Sequence, residues 1–473
     1  MASVGKVVGV GVLVVVLAGA GYLTADAYDM VPGGLTLEPV PADPNPFPTV
    51  PALSAAAAPA ALALTELDAS APMPLSGALQ AQVDALVADP RLGPTTGVVV
   101  ADGLTGGMLA TNLADEPRIP ASTAKILTAV AALSTLDPAS TLSTRVVQGG
   151  ADDEITLVGG GDMMLAAGAG DPEAVRGRAG LADLAGQVAK ELSLRGTTSV
   201  RIRFDDTAFT GSTTAPGWAG TDVAYGYVAP VTALAVDHAR TTDNLSVSPR
   251  YSDPSLHAAR QFAARLAEAG VAVEGSPARA TALPDARVLG EVRSATLAEL
   301  THFTLATSDN TEAEVLGRLV AKAQGLPATF EGATTAVLHA LDVLGIDTSA
   351  MRLGDCSGLA DGSSIPPRQL VEVLRLVVGG EHPPLRDVAV GMPIAGLTGT
   401  LADRYTSSPA RGEVRAKTGS LTGVTSLAGI VTTDDGRELV FAVMADATPP
   451  GGQVAPRQAV DAFITGLAAC GCR

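Results

Sequence analysis

The stretch that decides the fold is PASTAKILTAVAALST, residues 120–135, in which Ser122 and Lys125 open a run of helix-forming residues. Pro120 precedes the run and no glycine interrupts it, so the sequence predicts a helix from Ser122 to Leu133. Side chains three positions apart lie on one helix face, so the hydroxyl and the amine can approach each other. A serine is a weak nucleophile until a base takes its proton, and a lysine kept uncharged by its surroundings can be that base. The pair is therefore a candidate nucleophile and general base.

A second candidate motif is Ser308-Asp309-Asn310, which lies between two helical runs, residues 297–307 and 312–321. In a short extended segment, the Ser308 hydroxyl and the Asn310 amide would point the same way. The serine could then pass a proton to a leaving amine while the amide holds a substrate amide. The alternative is an ordinary helix N-cap, which these residue types also favour. The motif alone leaves both interpretations open.

The third candidate motif is Lys417-Thr418-Gly419-Ser420, which precedes a β-rich run and is predicted to lie on an edge strand. Its ammonium and hydroxyl groups would hold a substrate carboxylate. Gly419 would let a substrate backbone come close, since a strand glycine has no side chain in the way. An ordinary turn is the alternative.

The three motifs are informative together rather than singly. The serine–lysine spacing also occurs at Ser3 and Lys6, so it is weakly specific alone. The patterns S-x-x-K, S-D-N and K-T-G occur together in β-lactamases and penicillin-binding proteins. Here they follow in that order, beginning at Ser122, Ser308 and Lys417.

From about residue 77 to 469 the chain resembles the low-molecular-mass class C penicillin-binding proteins, the D-alanyl-D-alanine carboxypeptidase/endopeptidase family. Four further stretches carry this resemblance: LVGGGDMML (157–165), GDCSGLADGSSIPPRQL (354–370), PIAGLTGTLADR (393–404) and VRAKTGSLTGVTSLAGIV (414–431). The resemblance implies hydrolysis of peptidoglycan stem peptides through an acyl-enzyme, inhibition by β-lactams, and no cofactor or metal.

The resemblance also implies a role for each motif residue. Ser122 would be the acylated nucleophile and Lys125 its base, with Ser308 as proton relay and Asn310 as amide anchor. The carboxylate would be held by Lys417 and Thr418, on the strand that continues through Gly419 and Ser420. The backbone N–H groups of Ser122 and Ser420 would form the oxyanion hole, in which each donor contributes about a hundred- to a thousandfold in rate.

The expected fold class is α/β (α+β), of the serine β-lactamase/DD-peptidase type, with an antiparallel sheet flanked by helices. Residues 76–144 and 296–473 are predicted to form one split domain, interrupted by a β-rich inserted domain over 145–295. Residues 28–75 hold ten prolines and a run of alanines and are predicted to be a linker. Residues 1–27 are predicted to be a signal peptide or a membrane anchor.

Composition limits the partners and the compartment. The net charge is −18, which argues against nucleic-acid binding because phosphate neutralisation needs clustered basic residues. Residues 7–24 carry no charge and follow Lys6, as in an export signal, so we expect the enzyme on the cell-wall side of the plasma membrane. The segment reaches the lower length limit for a bilayer span, so either cleavage or retained membrane anchoring is compatible with it.

Two other functions are compatible with parts of the pattern. A class A β-lactamase shares the three motifs, but its Glu-x-x-Leu-Asn element is absent between the second and third motif. A catalytically idle cell-wall binding module would suit the long linker, yet it would have no need of Ser122, Lys125 and Lys417.

The remaining reactive residue types are expected to be structural. The five histidines fit no triad-hydrolase context and are expected to be ordinary surface or core residues. Residues 355–358, Asp-Cys-Ser-Gly, are expected to form a structural turn. In an exported chain, Cys356 could pair with Cys470 or Cys472, and the alternative is that the cysteines are small buried thiols.

Overall fold

The computed structural model describes residues 18–26, 70–242 and 248–470. Residues 18–26 are helical, and Leu67–Arg473 form one compact unit. Among the described residues, no helix is both long enough and apolar enough to cross a bilayer. The predicted export segment and linker lie mostly outside the described residues.

Eleven strands and ten α-helices belong to the described part of this unit. The strands are β1 (Thr96–Asp102), β2 (Met108–Asn112), β3 (Thr141–Gln148), β4 (Glu154–Val158), β5 (Ser199–Asp205), β6 (Ala272–Val273), β7 (Ala278–Arg279), β8 (Val288–Thr296), β9 (Val414–Leu421), β10 (Val424–Thr432) and β11 (Glu438–Ala445). The helices are α1 (Ser76–Val87), α2 (Lys125–Thr135), α3 (Leu181–Ser193), α4 (Pro254–Glu268), α5 (Leu297–Thr307), α6 (Asn310–Ala323), α7 (Phe330–Val343), α8 (Pro367–Val378), α9 (Arg386–Gly391) and α10 (Val454–Ala468).

The first sheet is antiparallel, in the order β2-β1-β11-β10-β9. Successive side chains of a strand point to opposite faces, so β1 contributes to two cores. Val98 and Val100 belong to the core shared with α1 and α10, while Val99 and Ala101 belong to the core shared with α2 and α8. Burial on both faces explains why β1 is apolar throughout rather than alternating.

The second sheet is built from residues 141–296, in the order β6-β5-β4-β3-β8 with β7 beside β5. It is mixed, because β4 and β5 run parallel while β3 runs antiparallel to β4 and to β8. Leu184 of α3 and Phe262 of α4 pack against Ile155 and Phe204 of this sheet in a separate core. The segment predicted as β-rich therefore supplies a whole sheet with its own core.

Helix α2 lies at the centre of the helical layer and contacts α5, α6, α7 and α8. Every residue from Lys125 to Leu133 is buried. The amino-terminal end of α2 lies against β9, at the edge of the first sheet. This packing brings the three motifs to one place.

Of the two possibilities for Cys356, the structure shows the small buried thiol and not the disulfide. Cys356 is free and buried, and Cys470 is disulfide-bonded, but not to Cys356. The Cys356 side chain instead packs against α6, where a Cβ at Gly317 would lie only 2.2 Å from its sulfur. Cys356 is thus a small core residue, for which free cysteine is well suited.

Candidate active site

Ser122 lies in a tight turn rather than in the regular helix that the sequence predicts. Residues Ala121–Ala124 form a 3₁₀ turn, and the α-helix starts only at Lys125. Ala121 has a left-handed backbone with a φ of 47°. The Thr123 hydroxyl and the Ser426 hydroxyl both donate to the Pro120 carbonyl, at 2.7 Å and 2.6 Å. These contacts fix the turn and leave Ser122 partly exposed at the helix tip.

The Lys125 amine joins the first and second motifs. Its Nζ lies 2.9 Å from Ser122 Oγ, 2.6 Å from Asn310 Oδ1 and 2.8 Å from the Ser357 carbonyl oxygen. An ammonium has three N–H donors, and these three acceptors match them. The predicted approach of Ser122 and Lys125 is therefore present in the structure.

Burial changes the acidity of Lys125. The side chain is fully inaccessible to solvent, and burial lowers its pKa to about 8, although Asp355 and Glu314 act in the opposite direction. At pH 7 about a tenth of such lysines are uncharged, against roughly one in three thousand at the ordinary pKa. The uncharged amine offers a lone pair to the Ser122 hydroxyl.

The second motif contains the helix N-cap that was one of its two interpretations. Helix α5 ends at Ser308, whose backbone is left-handed with φ 60° and ψ 34°, so the predicted extended segment is wrong. Asp309 is the N-cap of α6 and accepts a hydrogen bond from the Glu312 N–H at 2.9 Å. The cap and the sharp turn together direct Ser308 and Asn310 toward the other motifs. Asn310 Nδ2 also donates to the Tyr227 carbonyl at 2.9 Å.

The third motif lies on the edge strand β9, as predicted. Lys417 is fully buried, and its Nζ donates to Ser308 Oγ at 2.8 Å and to the Thr418 carbonyl at 2.9 Å. Burial lowers the pKa of Lys417 well below its usual range, and the nearby Lys125 lowers it further. Two lysines thus face the same small space from different elements.

The absence of a side chain at Gly419 lets neighbouring parts of the chain pack closely. It pairs with Ser426 of β10, and a Cβ there would lie 2.0 Å from Ser426 Oγ and 2.6 Å from the Pro120 carbonyl oxygen. Its missing side chain therefore lets β9 lie directly against the turn that carries Ser122. The sequence predicted only that Gly419 would let a substrate backbone come close.

The turn at residues 355–358 is a structural turn, as expected, but it also positions the lysine of the first motif. The buried Asp355 carboxylate accepts hydrogen bonds from the Ser357 N–H and hydroxyl, the Gly358 N–H, the Ala360 N–H and Trp218 Nε1. These bonds orient the Ser357 carbonyl toward Lys125. A buried acid followed by small residues is the sequence signal for such a turn, but its target could not be read from the sequence.

His238 is a core residue, as expected, but it contacts the second motif. Its ring nitrogens lie 3.3 Å from Asp309 Oδ2 and 3.2 Å from Glu312 Oε2. Burial lowers the pKa of His238, but the Asp309 and Glu312 carboxylates outweigh this effect and raise it to about 9. The backbone from Asp237 to Ala239 is left-handed at all three residues, a costly conformation that surrounding contacts must stabilise.

Taken together, the fold and this geometry define a serine acyl-transfer enzyme of the penicillin-binding type. A sequence model of the D-Ala-D-Ala carboxypeptidase 3 (S13) family matches residues 79–247 and 238–467. The chain belongs to this family, and it is a serine-type D-Ala-D-Ala carboxypeptidase.

Curated relatives and a solved structure agree with this assignment. The chain is 38% identical to a carboxypeptidase of Mycobacterium tuberculosis over 91% of this chain and 90% of the relative. It is 39% identical to the carboxypeptidase DacB of Mycolicibacterium smegmatis over 98% and 97% of the two chains. The crystal structure of penicillin binding protein 4 (dacB) from Haemophilus influenzae superposes with a TM-score of 0.69 at 22% identity, covering 81% of this chain and 98% of that one. The predicted fold class is confirmed.

Proposed function

We propose that the enzyme removes the terminal D-alanine from peptidoglycan stem peptides through an ester formed on Ser122. The observation that carries this proposal is the 2.9 Å contact between Ser122 Oγ and the buried Lys125 amine, whose pKa is about 8. The same chemistry would cleave a cross-linked stem, so endopeptidase action belongs to the proposal.

Acylation begins when uncharged Lys125 takes the proton of the Ser122 hydroxyl. The serine oxygen attacks the carbonyl carbon of the penultimate D-alanine, and the N–H groups of Ser122 and Ser420 stabilise the resulting oxyanion. The C–N bond breaks, and Ser308 passes to the departing amine the proton that Lys125 took from Ser122, which leaves Lys125 uncharged again. Asn310 holds the substrate amide throughout.

Deacylation restores the enzyme. Water loses a proton to the Lys125 amine and attacks the ester carbonyl. The bond to Ser122 Oγ breaks, Lys125 returns the proton to the serine, and the shortened peptide leaves with a new carboxyl group. A β-lactam follows only the first half, because ring opening leaves the departing group tethered to the acyl carbon. We therefore propose β-lactams as covalent inhibitors, consistent with the name of the Haemophilus influenzae protein of the same fold.

We further propose that the enzyme acts outside the cytoplasmic membrane, where peptidoglycan lies. The uncharged residues 7–24 would direct export and, if retained, would anchor the chain to the membrane. The acidic composition supports the absence of nucleic-acid partners.

The test is D-alanine release from a pentapeptide stem, together with mass spectrometry of the penicillin adduct. We expect Ser122→Ala to abolish both D-alanine release and adduct formation, and the adduct of the wild type to map to Ser122. Ser134→Ala is the matched control, since this serine of α2 donates only to the Ala131 carbonyl. An adduct on another residue, or rapid turnover of nitrocefin without stable labelling, would contradict the proposal.

A further inference from the structure

The face of β9 that lies toward α10 carries two hydroxyl groups next to a cation. Side chains alternate along a strand, so Thr418 and Ser420 lie on the face opposite to Lys417 and Gly419. Thr418 Oγ1 lies 2.9 Å from Thr400 Oγ1. Ser420 Oγ accepts a hydrogen bond from Arg457 Nη2 at 3.0 Å.

Arg457 lies in the first turn of α10 and is half-buried. Within the described part of the chain, no carboxylate lies within ion-pair distance of its guanidinium. The nearby Asp461 is already paired with Arg404, through an Nε–Oδ2 contact of 3.2 Å. Burial and the positive charge of Arg404 lower the pKa of Arg457.

The half-buried Arg457 guanidinium donates to one neutral hydroxyl, so its other N–H groups can bind a further acceptor. Arginine has five N–H donors in a planar fork that matches a carboxylate. Removing such a cation from water is costly unless it meets an anion. The arrangement of Arg457 beside two hydroxyls therefore suits a bound carboxylate.

We propose that Arg457 is a specificity-determining residue that binds the free carboxylate of the substrate's last residue, together with the Thr418 and Ser420 hydroxyls. This inference rests on the proposed function. If the scissile carbonyl oxygen lies at the Ser420 N–H, the terminal carboxylate lies one residue further on, within about 4 Å along the chain. That distance places it beside the hydroxyl face of β9, within reach of the guanidinium.

The experiment compares a pentapeptide that ends in a free D-alanine carboxylate with the same peptide ending in a carboxamide. We expect the wild type to prefer the acid. Arg457→Gln should lower kcat/KM for the acid about 10- to 100-fold, mainly through KM, and should change the value for the amide less than about twofold. Arg457→Lys should recover part of the loss, since it keeps the charge but not the fork.

Matched controls separate this role from a structural one. Arg91→Gln removes an exposed arginine paired with Asp89 and should leave the acid-to-amide ratio unchanged. An equal loss on both substrates, or an unchanged ratio in Arg457→Gln, would overturn the inference. Failure of the wild type to release D-alanine from the acid would instead refute the proposed function.

Discussion

At the scale of single residues, the proposed mechanism depends on the charge state of Lys125. Its three acceptors are a hydroxyl, an amide oxygen and a backbone carbonyl, and none of them is a carboxylate. Such partners hold the amine in place without fixing its proton as strongly as an ion pair would. Burial then outweighs the more distant acids and brings the pKa close to neutrality.

We expect the rate of acylation by penicillin to rise with pH and to level off above about pH 8. The uncharged amine is the reactive form, so the rate follows the fraction of Lys125 that has lost its proton. Below the pKa, each pH unit should change the rate about tenfold. The measurement is the second-order rate constant of labelling by a fluorescent penicillin between about pH 6 and about pH 10.

The Lys125→Ala variant identifies the titrating group. We expect acylation to fall by at least a hundredfold at every pH, because no base remains beside Ser122. Lys190→Ala changes an exposed lysine of α3 and should reproduce the wild-type profile. Normal penicillin labelling of Lys125→Ala would refute the assignment of the base.

At the scale of elements, the decisive contact is that of β9 with the turn of residues 121–124. Gly419 lies directly opposite Ser426, whose hydroxyl donates to the Pro120 carbonyl. The strand and the turn share this carbonyl as a point of attachment. Their separation sets the position of the Ser420 N–H relative to Ser122.

We expect Gly419→Ala to lower the acylation rate more than tenfold and to destabilise the fold by roughly 1–3 kcal/mol. The added methyl group would overlap Ser426 Oγ and the Pro120 carbonyl, so β9 must move away from the turn. Acylation kinetics and thermal unfolding measure the two effects.

Gly77→Ala is the matched control, because a Cβ there meets nothing within 4 Å on helix α1. It should be neutral or slightly stabilising, since alanine is the better helix former. Wild-type acylation by Gly419→Ala would show that the close approach of β9 is not required.

At the scale of the whole molecule, three described residues of the second-sheet segment contact the second motif: Tyr227, His238 and Arg240. The Tyr227 carbonyl accepts from Asn310, and His238 lies between Asp309 and Glu312. The segment predicted as an insertion therefore supports the second motif directly.

We expect wild-type stability to fall as pH rises through about 9, and His238→Gln to weaken that dependence. The folded-state pKa of His238 lies above its unfolded value near 6.5, so its contribution is full below pH 6.5 and is lost as pH rises through about 9. The shift corresponds to an order of 3 kcal/mol. The measurement is the free energy of unfolding of both proteins across this range.

Other buried acids near His238 also change the free energy of unfolding with pH, so the wild type must be compared with His238→Gln at each pH. Burial raises the pKa of Asp162 to about 7, so this residue also loses its stabilising contribution as pH rises. Because His238 acts on Asp162, the difference between the two proteins measures the coupled group of His238 and its neighbouring acids. The control is His339→Gln, which removes an imidazole ring that is hydrogen-bonded to the Gln324 side chain. Parallel pH curves for wild type and His238→Gln would contradict the predicted ion pair.

Local sequence spacing predicted the three motifs and most element positions, and the family resemblance that these motifs carry implied the fold class. The three-residue spacing places Lys125 close to Ser122 on a helical turn, and the alternation of β9 places Lys417 and Thr418 on opposite faces of the strand. Apolar periodicity places the strands and helices because burial of one face is a short-range pattern.

Only the tertiary structure decided which groups complete the site. Ser357, His238 and Arg457 contact the motifs across long stretches of sequence, and the left-handed turn at Ser308 is stabilised by the packing around it. The free state of Cys356 was decided in the same way. These features depend on distances between separate elements, which are set by how their side chains pack together and not by any local preference of the chain.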